Sequence, residues 1–298
     1  MSGKLSEVEG RIGTVRQLDA VISAMRGIAA ARSREARARL DGVRAYASAV
    51  GTAIGTALGL APDRGAAASG HDRREGRLLI VLCGQQGFAG SFNDRVLDNV
   101  AGHLDSSLVE ILLVGDRGAM VAAERGLAVS RVAPMVEHIE DVPALANRIT
   151  DALYQRLESK RATRVTMVHA VPAPSGTIDI VERALLPFDF TRFHVTPSRI
   201  PPIVTLPPEQ LLDQLAEEYV YAELCAAVIL SYAAENEARM QAMIAARSNV
   251  ERKLDELTAS YRNLRQEEIT AEIIELSAGT LASTDSVAHE RPQVEAQA

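Results

Sequence analysis

The longest uninterrupted feature of this chain is a stretch from Glu209 to Ala278 that contains no proline and no glycine. Between Leu215 and Ala271, apolar or small residues recur at alternating spacings of four and three, the 3.5-residue period of a left-handed coiled coil. A helix of about 70 residues is on the order of 100 Å long. Such a helix must pair with another element outside an ordinary core.

The start of the chain has the same period, from Leu5 to Leu58, and also lacks proline. We therefore predict an antiparallel coiled coil of helices at 1–60 and 207–282, with Pro208 near the start of the second helix and Gly279 at its end. Equal rise places residue i of the first helix opposite about residue 267 minus i of the second. Residues beyond about Leu264 then have no partner on the first helix.

The middle of the chain, 78–195, alternates strand-like and helical patterns, which predicts a Rossmann-like α/β domain with a mainly parallel sheet. The fold class is thus α/β, with a long antiparallel coiled coil of the terminal helices. Linkers are predicted at 61–77 and 196–206, and a disordered tail at 283–298. The predicted strands are 78–83, 109–114, 128–132, 164–171 and 177–186, and the predicted helices are 94–104, 116–125 and 142–157.

The first strand runs into a glycine-rich turn, Gly84 to Asn93, at the place where a Rossmann protein holds phosphate. The spacing fits neither a dinucleotide loop nor a P-loop, so we predict a tight turn in which Asn93 or Asp94 caps the next helix. The six histidines are scattered, and the two cysteines have no metal or redox spacing. We expect no catalytic, cofactor-binding or metal-binding residues and no cofactor.

Charge and hydropathy limit the partners of the chain. A net charge of -7 argues against nucleic-acid binding. Six arginines crowd the stretch from Arg26 to Arg44, as either a solvated helix face or a basic collar for an acidic protein. The uncharged stretch 45–61 is short for a membrane span and contains hydroxyl residues, so we expect no span. Its glycines at 51, 55 and 59 are expected to let the long helices approach closely.

Four segments carry a family resemblance. Residues 24–32 read Ala-Met-Arg-Gly-Ile-Ala-Ala-Ala-Arg, 87–93 read Gly-Phe-Ala-Gly-Ser-Phe-Asn, 234–243 read Ala-Glu-Asn-Glu-Ala-Arg-Met-Gln-Ala-Met, and 265–272 read Arg-Gln-Glu-Glu-Ile-Thr-Ala-Glu. In this order they resemble the gamma subunit of F-type ATP synthases, over residues 4 to about 282. The family is a rotor shaft, so the resemblance implies coupling of ion flow through a membrane ring to ATP synthesis or hydrolysis, without catalysis by this chain.

The resemblance also implies partners and contact residues. The partners are the alpha and beta subunits of the catalytic ring, the epsilon subunit and the membrane c-ring, at the cytoplasmic face of the bacterial inner membrane, where the chain is peripheral. The residues expected to contact the alpha/beta ring are Met25, Arg26, Arg32, Arg239, Arg265, Gln266, Thr270 and Glu272. Met25 and Met240 are equally suited to the coil core, and Arg265 to a pair with Glu268 or Glu272.

Several positions depart from the family pattern, among them Gly27, Ala89 and the pair Gln85–Gln86. They suggest a divergent branch such as the alternate, N-type ATPase, for which the coupling ion, proton or sodium, is set by another subunit. The rival hypothesis is a coiled-coil scaffold with a degenerate nucleotide-binding domain. A dehydrogenase is a third hypothesis, and it requires nucleotide binding by the isolated chain.

Overall fold

The computed structural model describes residues 2–60, 76–103, 109–159, 162–174, 176–195 and 202–288. The two long helices flank an α/β region, which confirms the predicted fold class. The elements are α1 (Ser2–Leu58), β1 (Arg77–Leu82), α2 (Phe92–Ala101), β2 (Val109–Val114), α3 (Asp116–Glu124), β3 (Arg131–Ala133), α4 (Val142–Glu158), β4 (Arg164–Pro172), β5 (Ile178–Leu186) and α5 (Pro208–Ala288).

The chain forms two compact units, Met1–Ala24 with Ile244–Ala298, and Met25–Met243. This division cuts both long helices, whereas the predicted domain boundaries lay in the linkers. The reason is that the parts of α1 and α5 in the second unit belong to the same core as the sheet. Residues 61–75 and 196–201 of the predicted linkers lie outside the described residues.

The first unit is a pair of helices. Its seam buries Ile12 and Ile22 of α1 and Val250 of α5, all predicted seam positions. Leu18 was predicted in the seam, but it is 49% exposed. Its neighbour Asp19 is half-buried instead, and its Oδ1 lies 3.5 Å from Nε of Arg247. At this level of the helix pair, Asp19 and not Leu18 faces α5.

Contacts in both units confirm the antiparallel register. Asp19 meets Arg247 in the first unit. In the second unit, the hydroxyl of Tyr46 donates to Glu218, and that of Ser33 to Glu237 at 3.5 Å. The residue numbers of these pairs add to about 267, as equal rise along two antiparallel helices requires.

The second unit is built on a five-stranded sheet of order β3-β2-β1-β4-β5. The first four strands are parallel and β5 is antiparallel to β4, as expected for a mainly parallel sheet. One face packs against α4, α5 and part of α1, and the other against α2 and α3. From Ala222 to Glu237, α5 is buried around nearly its whole circumference, because α1 covers one side and the sheet the other.

The C-terminal end of α5 differs from the prediction. The helix passes through Gly279 and ends at Ala288, so 283–288 are helical rather than a disordered tail. A single glycine costs a helix only about 1 kcal/mol, and the flanking Ala278, Leu281 and Ala282 favour helix. Residues 289–298 lie outside the described part of the chain.

Gly51, in the uncharged stretch 45–61, makes room for neighbouring rings. Among the described residues, no helix is long and apolar enough to cross a membrane. A Cβ added to Gly51 would lie 3.2 Å from the ring of Phe193 and 3.7 Å from that of Tyr219. Close pairing of the long helices predicts a contact of Gly51 with α5, and Tyr219 supplies it. The lack of a side chain at Gly51 also makes room for Phe193, from the segment after β5.

We predict that His169 makes this fold acid-sensitive. On β4 it is 4% exposed, and burial, with the charge of Arg183, lowers its pKa from 6.5 to about 4. Between pH 6.5 and pH 4, His169 is protonated in the unfolded chain but neutral in the folded chain. The free energy of unfolding therefore decreases as the pH falls through this range. The loss is up to about 3 kcal/mol. In urea unfolding at pH 7 and at pH 4.5, His169→Leu should lose less stability than the parent chain; an equal loss would contradict the assignment.

Candidate functional site

The glycine-rich loop between β1 and α2 is closed by the chain's own side chains. The backbone N–H of Gly84 donates to Oδ1 of Asn93 at 2.8 Å. Asn93 lies inside α2, which begins at Phe92, and the N-cap residue Ser91 makes no side-chain capping bond. The prediction that Asn93 or Asp94 caps this helix is therefore wrong. Asn93 instead turns back to the loop, because an amide oxygen there satisfies a buried N–H.

A carboxylate from α5 occupies the place where a phosphate would sit. Glu235, which is 3% exposed, accepts the backbone N–H groups of Gln85 and Gln86 at 3.3 and 3.1 Å. In nucleotide-binding relatives of this architecture such amides cradle phosphate oxygens. Here the amides of Gln85 and Gln86 are already bound to an anion that the fold supplies, so these two donors are not available to a nucleotide.

Arg239 completes this arrangement. Its Nη2 lies 2.5 Å from Oε1 of Glu235, and its Nε donates to the carbonyl oxygen of Gly87 at 3.1 Å. A third bond, from Nη1 to Oδ1 of Asn236, measures 3.0 Å. Arg239 is 5% exposed, and its predicted contact with the alpha/beta ring stays a prediction. Its guanidinium uses its donors within the chain, because a buried cation needs a paired anion and hydrogen-bond acceptors.

Gln85, one of the departures from the family pattern, joins three loops at the carboxyl edge of the sheet. Its Oε1 accepts the N–H groups of Met135 at 2.7 Å and of Asp116 at 3.2 Å. Its Nε2 donates to Oδ2 of Asp116 at 2.7 Å. A neutral amide can donate and accept at once, which neither Asp nor Arg could do at this position.

An apolar surface borders the loop. Phe88 has a positive φ of 62° and is 70% exposed, and Ile28 on α1 is 55% exposed. With Met25, Arg32 and Gln86 they line a cavity of about 370 Å³, and Arg32 donates to Gln86 at 3.4 Å. We call these five residues the Phe88 patch. It brings together the predicted contact residues Met25 and Arg32, and a third, the buried Arg239, lines the same cavity. Arg26 is half-buried next to Met25 in sequence.

Sequence reasoning did not single out Ile28 or Phe88. The sequence signal that could have identified them is their position inside two of the family-like segments, 24–32 for Ile28 and 87–93 for Phe88. Exposure of a large apolar side chain depends on what the rest of the chain covers, so it was not visible in the pattern of residues.

The remaining predicted contact residues lie on α5 in the first unit, where Arg265, Gln266, Thr270 and Glu272 are exposed. Arg265 approaches Glu268 at 3.9 Å, and the hydroxyl of Thr270 donates to the carbonyl of Gln266 at 2.8 Å. The same part of α5 exposes large apolar side chains that were not predicted as contact residues. These are Ile269, Ile273, Ile274 and Leu276.

The described residues contain no group of three or more His, Cys, Asp or Glu side chains that could hold a metal ion. Cys83 and Cys225 are buried free thiols. Burial, with the charge of Glu235, raises the pKa of Cys83 to about 12, so this thiol is a poor nucleophile at neutral pH.

Comparisons with known proteins place the chain in a family. A family model described as ATP synthase matches residues 4–282. The ATP synthase gamma chain of Solibacter usitatus is 30% identical over 302 residues, covering 94% of this chain and 99% of that one. The chain belongs to the ATP synthase gamma chain family. The gamma chain of Helicobacter pylori (strain 26695) is 27% identical, with coverage of 93% and 98%.

Solved structures agree on the fold of this gamma chain. A chain of the Euglena gracilis mitochondrial ATP synthase, from a structure of its OSCP/F1/c-ring, has a TM-score of 0.63 at 12% identity and covers the whole of both chains. A chain of the Tetrahymena thermophila central stalk and c-ring has a TM-score of 0.59 at 19% identity, covering 76% of this chain and 99% of that one.

We predict that Glu235→Ala destabilises the chain by about 3–5 kcal/mol, because it leaves Arg239 buried without its counter-ion and two loop amides without an acceptor. Thermal or urea unfolding measures the loss. Glu256→Ala is the matched control, since Glu256 forms an exposed pair with Lys253 and should have little effect. Equal midpoints for the two variants would contradict the role given to Glu235.

Proposed function

We propose that this gamma chain is the rotor shaft of an F-type ATP synthase and couples ion flow through a membrane ring to ATP synthesis or hydrolysis. One observation carries the proposal. In the first unit, α5 continues beyond the last residue that α1 can pair with and exposes Ile269, Ile273 and Ile274 there. Large apolar side chains on an unpaired helix favour a partner that encloses it.

The proposed partner at this end of α5 is the ring of alpha and beta subunits. Arg265, Gln266, Thr270 and Glu272 would give that contact polar specificity, and the isoleucines would supply buried area. The Phe88 patch, with Arg26, would meet an acidic segment of the beta subunit. Met25 suits a moving contact, because an unbranched, polarizable side chain adapts to changing neighbours at little cost.

The proposed mechanism needs no chemistry on this chain. A shaft without three-fold symmetry presents a different face to each of three catalytic sites, so each angle favours one set of open and closed sites. Rotation driven by the membrane ring would then release ATP, and ATP hydrolysis would drive rotation in reverse. The epsilon subunit and the c-ring are the proposed partners at the other end, with the chain peripheral on the cytoplasmic face of a bacterial inner membrane.

The loop geometry weighs against the dehydrogenase, which requires a nucleotide near β1, where Glu235 already occupies two of the loop amides. The scaffold with a degenerate nucleotide-binding domain needs no nucleotide, so its partners in the cell decide between it and the rotor. Co-purification tests the proposal directly: a rotor subunit should appear stoichiometrically with a hexameric nucleotide-binding ring. Assignment to the N-type branch stays a prediction, and the ion-binding motif of the ring subunit encoded beside this gene tests it.

Charge reversal at Arg26 should weaken coupling more than assembly. Replacing a surface attraction by a repulsion weakens the free energy of this contact by about 1 kcal/mol. The population in which the shaft contacts the beta subunit then falls roughly fivefold. Arg26→Glu should therefore lower the number of ions pumped per ATP in membrane vesicles. Arg34→Glu, an exposed arginine outside the Phe88 patch, is the matched control. Unchanged pumping per ATP in Arg26→Glu would contradict the proposed contact.

Truncation after Leu264 should lower ATP turnover by the assembled ring. It removes the exposed isoleucines, each worth about 1.5–3 kcal/mol if the ring buries them fully. The rate of ATP hydrolysis by the complex, with assembly checked by gel filtration, measures the effect. A shorter deletion, after Gly279, is the control, and equal turnover of all three forms would exclude a contact at this part of α5.

A further inference from the structure

A second cavity in the Met25–Met243 unit has a different character from the Phe88 patch. It measures about 550 Å³ and lies between α1, β5 with the segment that follows it, and α5. We call it the arginine pocket, after its polar lining. That lining includes Arg44, Ser48, Arg183, Arg192, His194 and Glu223.

Positive charge in this pocket exceeds negative charge. Glu223 is its acidic residue, and the carboxylate is already paired with Arg183 at 2.8 Å. Arg44 and Arg192 are exposed and have no carboxylate within ion-pair distance among the described residues. The nearby carboxylate of Asp189 accepts the backbone N–H and the hydroxyl of Thr191 at 2.9 and 2.6 Å. Two guanidinium groups are therefore available to a ligand.

Aromatic packing holds the Arg192 side of the pocket in place. The Arg192 guanidinium lies 5.9 Å from the centre of the Tyr219 ring, a cation–π distance. Phe193 packs edge-on against Tyr219 at 5.0 Å and stacks on Phe188 at 5.7 Å. The missing side chain at Gly51 allows this approach of Phe193 to α1. The segment with Arg192 and His194 is thus fixed by an aromatic cluster.

We propose that the arginine pocket binds a phosphate group. Two unpaired guanidinium groups that line one concave site, Arg44 on α1 and Arg192 after β5, suit a dianion, because each can donate two parallel hydrogen bonds to phosphate oxygens. The hydroxyl of Ser48 adds a donor on the α1 side. The phosphate could come from free phosphate in solution or from an anionic lipid headgroup, which have the same recognition chemistry. A carboxylate carries one charge, so an acidic protein segment would need two carboxylates in this cavity to balance the two arginines, whereas a single phosphate dianion carries both charges. The proposal does not depend on the rotor function.

Calorimetric titration of the full-length chain with inorganic phosphate, and flotation with phosphatidylglycerol vesicles against phosphatidylcholine vesicles, test the proposal. We expect saturable binding of at least one probe. Arg44→Ala/Arg192→Ala should weaken it at least about tenfold, since it removes several charge-assisted hydrogen bonds. The control Arg34→Ala/Arg117→Ala removes the same charge from exposed positions outside the pocket and should bind as the parent does.

Phosphate binding alone assigns the site to a soluble phosphate, and vesicle binding alone to a lipid headgroup; both outcomes support the proposal. Binding of neither probe overturns it, as does equal weakening in the two double variants, which would indicate nonspecific attraction. Binding of a polyglutamate peptide without either probe would also overturn it, in favour of an acidic protein partner. Unchanged melting temperatures without a probe confirm that both double variants are folded.

Discussion

The middle of α5 must be buried on all sides, and most of the structure depends on this constraint. Between Ala222 and Glu237, one side of the helix packs on α1 and the other on the sheet. A helix in this position cannot keep a conventional polar face. Its polar residues therefore need internal partners, and Ser231, Glu235 and Asn236 each have one.

The Glu235–Arg239 pair follows from that constraint and decides what the α/β domain can do. A buried carboxylate needs donors, and the amides of the glycine-rich loop are the donors within reach. By accepting from them, Glu235 attaches the loop to the long helix and occupies two amides that could otherwise donate to a phosphate. The domain has the strand order and glycine-rich turn of a nucleotide-binding architecture, with these two amides bound internally. Phe88, at positive φ on the same loop, is exposed and lines the cavity beside α1.

Much of the fold could be predicted because it depends on local periodicity. The 3.5-residue repeat located both long helices and, through equal rise, their register; the alternation of strand and helix patterns gave the sheet. Errors arose where a side chain had to choose between local and distant partners. Asp19, and not Leu18, faces α5, where Arg247 lies opposite it. Asn93 accepts from the backbone N–H of Gly84 and does not cap its own helix. Gly279 did not end α5, since its neighbours favour helix.

The candidate site shows the same division. By itself the sequence determined the long helices, their antiparallel pairing and the family. These depend on the spacing of residues and on short segments, both of which are visible along the chain. Only the tertiary structure decided that Arg239 is buried, that Phe88 and Ile28 share a surface, and that Arg44 lines one pocket with Arg192. These residues lie far apart in the sequence. Whether a side chain is paired, covered or free depends on which distant segment packs against it, and no local pattern records that.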